Sequence, residues 1–238
     1  MNGLAGKRVW LTRSVGGNRA WEPHVRATGA IPISYPCLRF ELLTKHRVDT
    51  ANTVKSADWI VFSSPRGVQA FHDLGLKVSN LQKLACVGAA TAERCFDLIG
   101  ESDLEPECET AKDLAEALLD VGVWESVALV GALRPRPELQ DRLTQAGKQA
   151  TACPVYMTIG SNEGPPPASM HSDDAVLLAS PSAFESLWRN CGLPQGISLI
   201  SIGPTTSHAI RDAGFQVAGE SKSRDIFGLL EALEDICA

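Results

Sequence analysis

The chain carries much of its own sequence twice. Asp58-Trp-Ile-Val-Phe-Ser-Ser-Pro-Arg-Gly-Val-Gln-Ala-Phe returns as Asp174-Ala-Val-Leu-Leu-Ala-Ser-Pro-Ser-Ala-Phe-Glu-Ser-Leu, with an offset of 116 residues from Ser64 to Ser180. Val87-Gly-Ala-Ala-Thr-Ala-Glu-Arg returns as Ile202-Gly-Pro-Thr-Thr-Ser-His-Ala, 115 residues on from Thr91 to Thr206. Val9-Trp-Leu-Thr, Gly29-Ala and Tyr35-Pro36 are matched by Val127-Ala-Leu-Val, Gly147-Lys and Cys153-Pro154, 118 residues apart at the glycines. A period this long is no solenoid repeat. It predicts two similar domains, each large enough for its own core within 238 residues. A cleft between two such domains is a natural ligand site.

Within each copy, short apolar runs alternate with helical patterns. Strands are expected at Val9–Thr12, Ile31–Ser34, Trp59–Phe62, Leu84–Val87, Val127–Val130, Ala150–Cys153, Ala175–Ala179, Leu199–Ile202 and Phe215–Ala218. Helices are expected at Arg19–Thr28, Arg66–Leu74, Ala90–Ile99, Ala111–Leu119, Pro137–Ala146, Ala183–Asn190, Thr205–Ala213 and Arg224–Ile236. Gly29, Gly100, Gly147 and Gly214 follow helix patterns, the usual place of a left-handed residue. The strands are continuously apolar rather than alternating, as sheets covered on both faces require. Strand–helix alternation then gives two doubly wound α/β domains with parallel sheets. The stretch Gly160–Ser172, with Pro165-Pro166-Pro167, reads as a linker or surface loop. The pattern leaves two divisions open: a single cut near residue 122, or one domain from both chain ends with the other between them.

Composition narrows the function. A net charge of −6 argues against nucleic acid, which calls for a basic face. The longest apolar runs are far too short for a membrane span, and the chain enters a strand pattern with no signal-peptide region, so a cytoplasmic location is expected. The seven cysteines lack metal spacing and read as free, buried thiols. The five histidines are scattered, and no metal site is expected. Walker A, G-x-G-x-x-G, H-E-x-x-H and G-x-S-x-G sequences are absent, so nothing calls for a nucleotide or a covalent nucleophile.

Ligands of parallel α/β sheets bind beyond the carboxyl ends of the strands. Those ends carry Thr12-Arg13-Ser14, Ser63-Ser64-Pro65-Arg66, Gly88-Ala89-Ala90-Thr91, Gly131, Ser180-Pro181-Ser182 and Gly203-Pro204-Thr205-Thr206. Each is also an ordinary helix-capping sequence. Taken together, their hydroxyls and helix N-termini suit anionic oxygens. Arg13 and Arg66 follow strands directly and can fork onto a carboxylate or phosphate. Arg134 and Arg136, in Arg-Pro-Arg-Pro, read as a solvated loop that borders the same rim. Tyr156 is one of two tyrosines; its phenol can donate a proton to a leaving oxygen or pack as a hinge residue.

In ordered set, Leu11-Thr12-Arg13, Phe62-Ser63-Ser64-Pro65-Arg66-Gly67-Val68, Val87-Gly88-Ala89-Ala90-Thr91-Ala92, Pro154-Val155-Tyr156, Ala179-Ser180-Pro181-Ser182-Ala183 and Ile202-Gly203-Pro204-Thr205-Thr206 resemble the uroporphyrinogen-III synthase family. The likeness runs from about residue 8 to residue 236. It implies two flavodoxin-like domains joined by a two-strand linker: residues 1–36 with 160–238, and residues 38–158, with linkers near 35–38 and 156–160. It implies an enzyme that takes hydroxymethylbilane, a linear tetrapyrrole, and closes it with loss of water and inversion of ring D; nothing in the sequence speaks for an oligomer, and a monomer is expected. It implies no cofactor. By position, Tyr156 becomes the residue assisting hydroxide departure, and Arg13, Ser63, Ser64, Arg66, Thr91, Ser180, Ser182, Thr205, Thr206 and Ser223 become substrate-binding residues. The chain departs from the family pattern at Ser14, at Gly131-Ala132-Leu133 and at Ser223.

Overall fold

A computed structural model describes residues 3–161 and 166–237. In chain order the elements are β1 (Arg8–Leu11), α1 (Val15–Ala27), β2 (Ile31–Ser34), β3 (Leu38–Leu42), α2 (Arg47–Ser56), β4 (Trp59–Phe62), α3 (Pro65–Asp73), β5 (Lys83–Cys86), α4 (Ala89–Leu98) and α5 (Ala111–Asp120). There follow β6 (Ser126–Ala132), α6 (Glu138–Gln145), β7 (Gln149–Gly160), β8 (Ala175–Leu178), α7 (Pro181–Cys191), β9 (Ser198–Ser201), α8 (Pro204–Asp212), β10 (Gly219–Glu220) and α9 (Ile226–Cys237). Residues Met1–Phe40 and Thr158–Ala238 cluster as one unit, and Glu41–Met157 as another. Part of the proline-rich loop expected at Gly160–Ser172, including Pro165, lies outside the described residues.

The first unit holds a sheet in the order β10-β9-β8-β1-β2, with parallel pairing throughout. Successive side chains of a strand point to opposite faces. Val9, Leu11, Ala175, Leu177 and Ile200 therefore pack on one side, under α1 and α9. Trp10, Val176, Leu178 and Leu199 pack on the other, under α7 and α8. Both faces are buried, so β8 is buried at every residue of Ala175–Leu178.

The second unit holds β3-β7-β6-β4-β5. Ile60, Phe62, Ala128 and Val130 lie under α2, α3 and α4, where Phe62 and Phe71 meet edge to face at 5.4 Å. Trp59, Val61, Ala85 and Val127 lie under α5 and α6. The run β7-β6-β4-β5 has the same neighbours as β2-β1-β8-β9. The repeat is thus realised strand for strand, with the two halves of the motif in opposite chain order in the two units. Even the short outer β10 has a counterpart, an isolated parallel bridge from Leu104 to Ala85.

Several local expectations change. The apolar run Phe215–Ala218 does not form the outer strand; β10 is Gly219–Glu220. Phe215 instead packs edge to face on Phe184 at 5.7 Å, and a Cβ at Gly219 would stand 2.9 Å from the Ala232 carbonyl oxygen. Only a glycine lets that strand approach α9. Gly29, Gly147 and Gly214 take positive φ but Gly100 does not. There α4 ends in a tight turn, with the Ile99 and Gly100 N–H groups both donating to the Cys95 carbonyl. Strand β7 runs on through Pro154 and Tyr156 to Gly160, well beyond Cys153. Cys108 is exposed and Cys191 and Cys237 are half-buried, so the thiols are not uniformly interior. Burial raises Cys37, and lifts Cys153 to about 11, which keeps both protonated and inert.

Candidate functional site

In an open α/β sheet the ligand crevice lies beyond the strand ends, where neighbouring connections leave in opposite directions. In the second unit that switch falls between β4 and β6. Ser64 ends β4 and caps α3: its Oγ accepts the Gly67 N–H at 3.1 Å. Gly67 packs closely on β6: a Cβ there would sit 3.2 Å from the Val130 carbonyl oxygen, a tight contact. Ser63 stands exposed beside Gly131, whose added Cβ would lie 3.3 Å from the Ser63 Oγ. Beyond Gly131 the β6–β7 register shifts, pairing Ala132 with Tyr156, and the Leu133 N–H donates to the Tyr156 carbonyl at 2.8 Å.

These strand ends open onto a cavity of about 800 Å³ whose lining includes Ser63, Ser64, Tyr156, Glu109, Arg134 and Arg136. The sequence singled out the two serines and the tyrosine. Arg134 and Arg136 join them as cavity residues rather than as a loop standing apart. Glu109 was not anticipated, because nothing local to Glu-Pro-Glu-Cys-Glu-Thr marks which carboxylate turns inward. Thr91, buried in the first turn of α4, and Arg66, exposed in the first turn of α3, do not line this cavity.

In the first unit the corresponding switch falls between β1 and β8. Thr12 is buried there and donates to the Leu177 carbonyl at 2.9 Å, joining the two strands. Asn18, fully buried, accepts the Arg13 N–H at 2.7 Å and donates to the Leu11 carbonyl at 2.8 Å and the Ser34 Oγ at 3.1 Å. It locks the ends of β1 and β2 to α1, a role the sequence reading missed. Ser14 caps α1 through the Gly17 N–H. The Arg13 guanidinium lies 4.4 Å from the Trp21 ring centroid, a cation–π contact, and burial lowers its pKa from the usual value. None of the ion pairs among the described residues involves Arg13.

Ser180 caps α7 through the Ala183 N–H at 3.2 Å, with the Ser182 Oγ 3.2 Å from its own. On α8, Thr205 is exposed and Thr206 is buried. Ser223 serves the start of α9: its Oγ donates to Asp225 Oδ1 at 2.9 Å, and that oxygen accepts the Gly228 N–H at 2.9 Å. These bonds hold the Asp225 carboxyl below its usual range.

One cluster has metal-ligand geometry: single ligand atoms of His171, Asp173 and Asp174 fall within 4.8 Å of one another. Asp174 Oδ2 is already taken by Arg8 at 3.0 Å, the Trp10 indole N–H at 2.8 Å and the His171 backbone N–H at 3.0 Å. The guanidinium supplies the positive charge there.

The molecule is therefore an α/β protein of two topologically matched units whose polar, anion-suited surfaces lie at the carboxyl ends of parallel strands. A family model described as uroporphyrinogen-III synthase HemD matches residues 19–231, and the chain belongs to that family. It is 26% identical to a uroporphyrinogen-III synthase of Synechococcus elongatus, over 97% of this chain and 96% of that protein. It is 25% identical to a porphyrin biosynthesis protein HemD of Ruminiclostridium josui, over 67% of this chain. The match spans 34%, about a third, of that longer protein. Two solved structures share the fold. One is a uroporphyrinogen-III synthetase of Helicobacter pylori, with a TM-score of 0.62 at 13% identity over 97% of this chain and 99% of that one. The other is a mutant uroporphyrinogen III synthase of Thermus thermophilus, with a TM-score of 0.57 at 17% identity over 97% and 98%.

Proposed function

We propose that the protein converts hydroxymethylbilane into uroporphyrinogen III, as a carbon–oxygen lyase that uses no cofactor. The observation that carries this reading is the family match over residues 19–231. The cavity with Tyr156, Ser63 and Ser64 supports it. The substrate brings its own electrophile, because loss of hydroxide from its hydroxymethyl carbon leaves an azafulvene cation stabilised by the pyrrole nitrogen. A phenol placed beside the departing oxygen donates a proton, so that water leaves. Attack by the substituted carbon of ring D gives a spiro intermediate whose rearrangement inverts that ring; attack by the free carbon gives isomer I. The protein's task is then orientation, which can account for several kcal/mol of a barrier.

Eight carboxylates call for N–H groups, hydroxyls and cations. We assign Arg13, Ser63, Ser64, Arg66, Thr91, Ser180, Ser182, Thr205, Thr206 and Ser223 to that contact set, and Tyr156 to hydroxide departure. In this reading the protein works as a cytoplasmic monomer of 25.5 kDa. No helix among the described residues is long and apolar enough to cross a membrane. Light scattering that returned twice the monomer mass would remove the monomer.

The test is the isomer assay: fresh hydroxymethylbilane, purified protein, oxidation, and chromatographic separation of the uroporphyrins. A strong shift from isomer I to isomer III is expected. Isomer I alone, formed at the spontaneous rate, would leave a non-catalytic tetrapyrrole binder. Arg13→Ala is expected to raise KM about ten-fold, the scale of one lost charge-assisted bond. An unchanged KM would remove Arg13 from the site and leave it as a cover for Trp21.

A further inference from the structure

Glu109 occupies an unusual place for an exposed carboxylate. Its Oε1 accepts the Ala89 N–H at 2.7 Å, at the very start of α4. Room for it exists because residue 88 is glycine: a Cβ there would lie 2.5 Å from the carboxylate. The positive end of a helix favours such an anion. The repeat supplies a comparison within the same chain. At the matching start of α8, a Cβ on Gly203 would meet nothing within 4 Å. There Pro204 stands in the place of Ala89 and has no N–H to donate, so the second unit offers a carboxylate an anchor that the first lacks.

Glu109 also lines the cavity that contains Tyr156, together with Arg134 and Arg136. Both arginines are exposed. No ion pair among the described residues involves Arg134 or Arg136. The cavity thus combines two cations that have no ionic partner among the described residues with one carboxylate seated on a helix N-terminus. Helix α4 and the Arg134–Arg136 segment both belong to the unit Glu41–Met157, so the arrangement depends on that unit alone.

We propose that this cavity is a carboxylate-exchange site for the substrate. Arg134 and Arg136 take carboxylates of the entering tetrapyrrole, and one substrate carboxylate displaces Glu109 from the Ala89 N–H. Two carboxylates cannot share that N–H group without strong like-charge repulsion. Glu109 consequently acts as a built-in competitor that a monocarboxylate displaces poorly. A polycarboxylate held at the same time by two arginine forks displaces it readily, because its second contact is effectively intramolecular. The site would therefore select for ligands bearing several carboxylates at once. The inference rests on the synthase reading for its ligand.

The test uses the intact protein and two readouts, KM for hydroxymethylbilane in the isomer assay and Kd for uroporphyrin, a stable octacarboxylate, by fluorescence titration. Arg134→Ala with Arg136→Ala is expected to raise both about ten-fold or more, on the scale of at least one lost charge-assisted bond. The paired lysine variant should recover most of the loss. Glu109→Gln should lower both about three-fold or more, since it keeps the size of the side chain and removes the competing charge. Opposite signs from the two groups are what an exchange site requires. If Glu109→Gln leaves both constants unchanged or raises them, with a lower Tm, Glu109 is only a helix cap and the exchange fails. If the arginine pair can be removed without effect, the two cations are solvated and the proposal falls. Wild-type protein that yields isomer I alone overturns the synthase reading instead, and the uroporphyrin titrations still decide this one.

Discussion

Tyr156→Phe is expected to lower kcat for isomer III formation by about ten-fold or more, the scale of a lost proton donor. The substitution is well posed because the ring and the hydroxyl have separable roles. The residue packs against the apolar core of its unit, and phenylalanine preserves that contact. The Tyr156 carbonyl accepts the Leu133 N–H through the backbone, which the mutation leaves alone. Strand β7 and the register shift opposite Ala132 should therefore persist. What disappears is the hydroxyl of a residue that lines the cavity. If that hydroxyl donates to the departing oxygen, its contribution exists mainly in the transition state, so kcat should fall with KM little changed. Product should remain isomer III, because orientation belongs to the carboxylate contacts. A variant with the wild-type kcat would remove Tyr156 from the chemistry and make it a packing residue.

What could be read in the chain, and what could not, divides along burial and sequence distance. The central strands were legible because both faces of each sheet are covered, leaving runs such as Trp59–Phe62 with no polar interruption. Helix α2 was not: of Arg47–Ser56 only Thr50 and Val54 are buried, so no apolar stripe marks it. Strand β3, Leu-Arg-Phe-Glu-Leu, has no fully buried residue, so no apolar run marks it either. The run Phe215–Ala218 misled in the other direction, since its apolar side chains serve a helix contact rather than a ladder. Among the polar residues, Ser64 and Ser180 could be recognised because a cap acts on its own next turn. Asn18, Glu109 and Asp174 could not. Asn18 reaches across to another strand end, Glu109 reaches back 20 residues to Ala89, and Asp174 reaches 164 residues to Trp10. Single-sequence reasoning finds what a residue does for its neighbours, and these three act elsewhere.

Asp174→Ala is expected to remove about 3–5 kcal/mol of stability, the usual cost of leaving half of a buried pair. Asp174 is 1% exposed and three donors converge on its Oδ2: the Arg8 guanidinium, the Trp10 indole and the His171 backbone N–H. Truncation leaves Arg8 without its anion and the fully buried Trp10 with an unsatisfied N–H, each carrying a desolvation penalty. In a chain of this size that corresponds to a fall in Tm of about 6–20 °C. Asp174→Asn separates the two terms, because an amide oxygen still accepts from Trp10 while the charge opposite Arg8 is gone; its Tm should fall between wild type and alanine. A melting temperature for Asp174→Ala within a degree or two of wild type would show that water replaces the carboxylate without penalty. The location gives the experiment a second use. Arg8 opens β1 and Asp174 immediately precedes β8, at the amino ends of two strands whose carboxyl ends carry Arg13 and Ser180. A loss of stability there should leave KM and kcat at low temperature near their wild-type values. A large change in KM at full folding would mean that the two ends of these short strands are energetically coupled, and that the guanidinium–carboxylate pair helps to set the ligand-binding end as well as to hold the sheet.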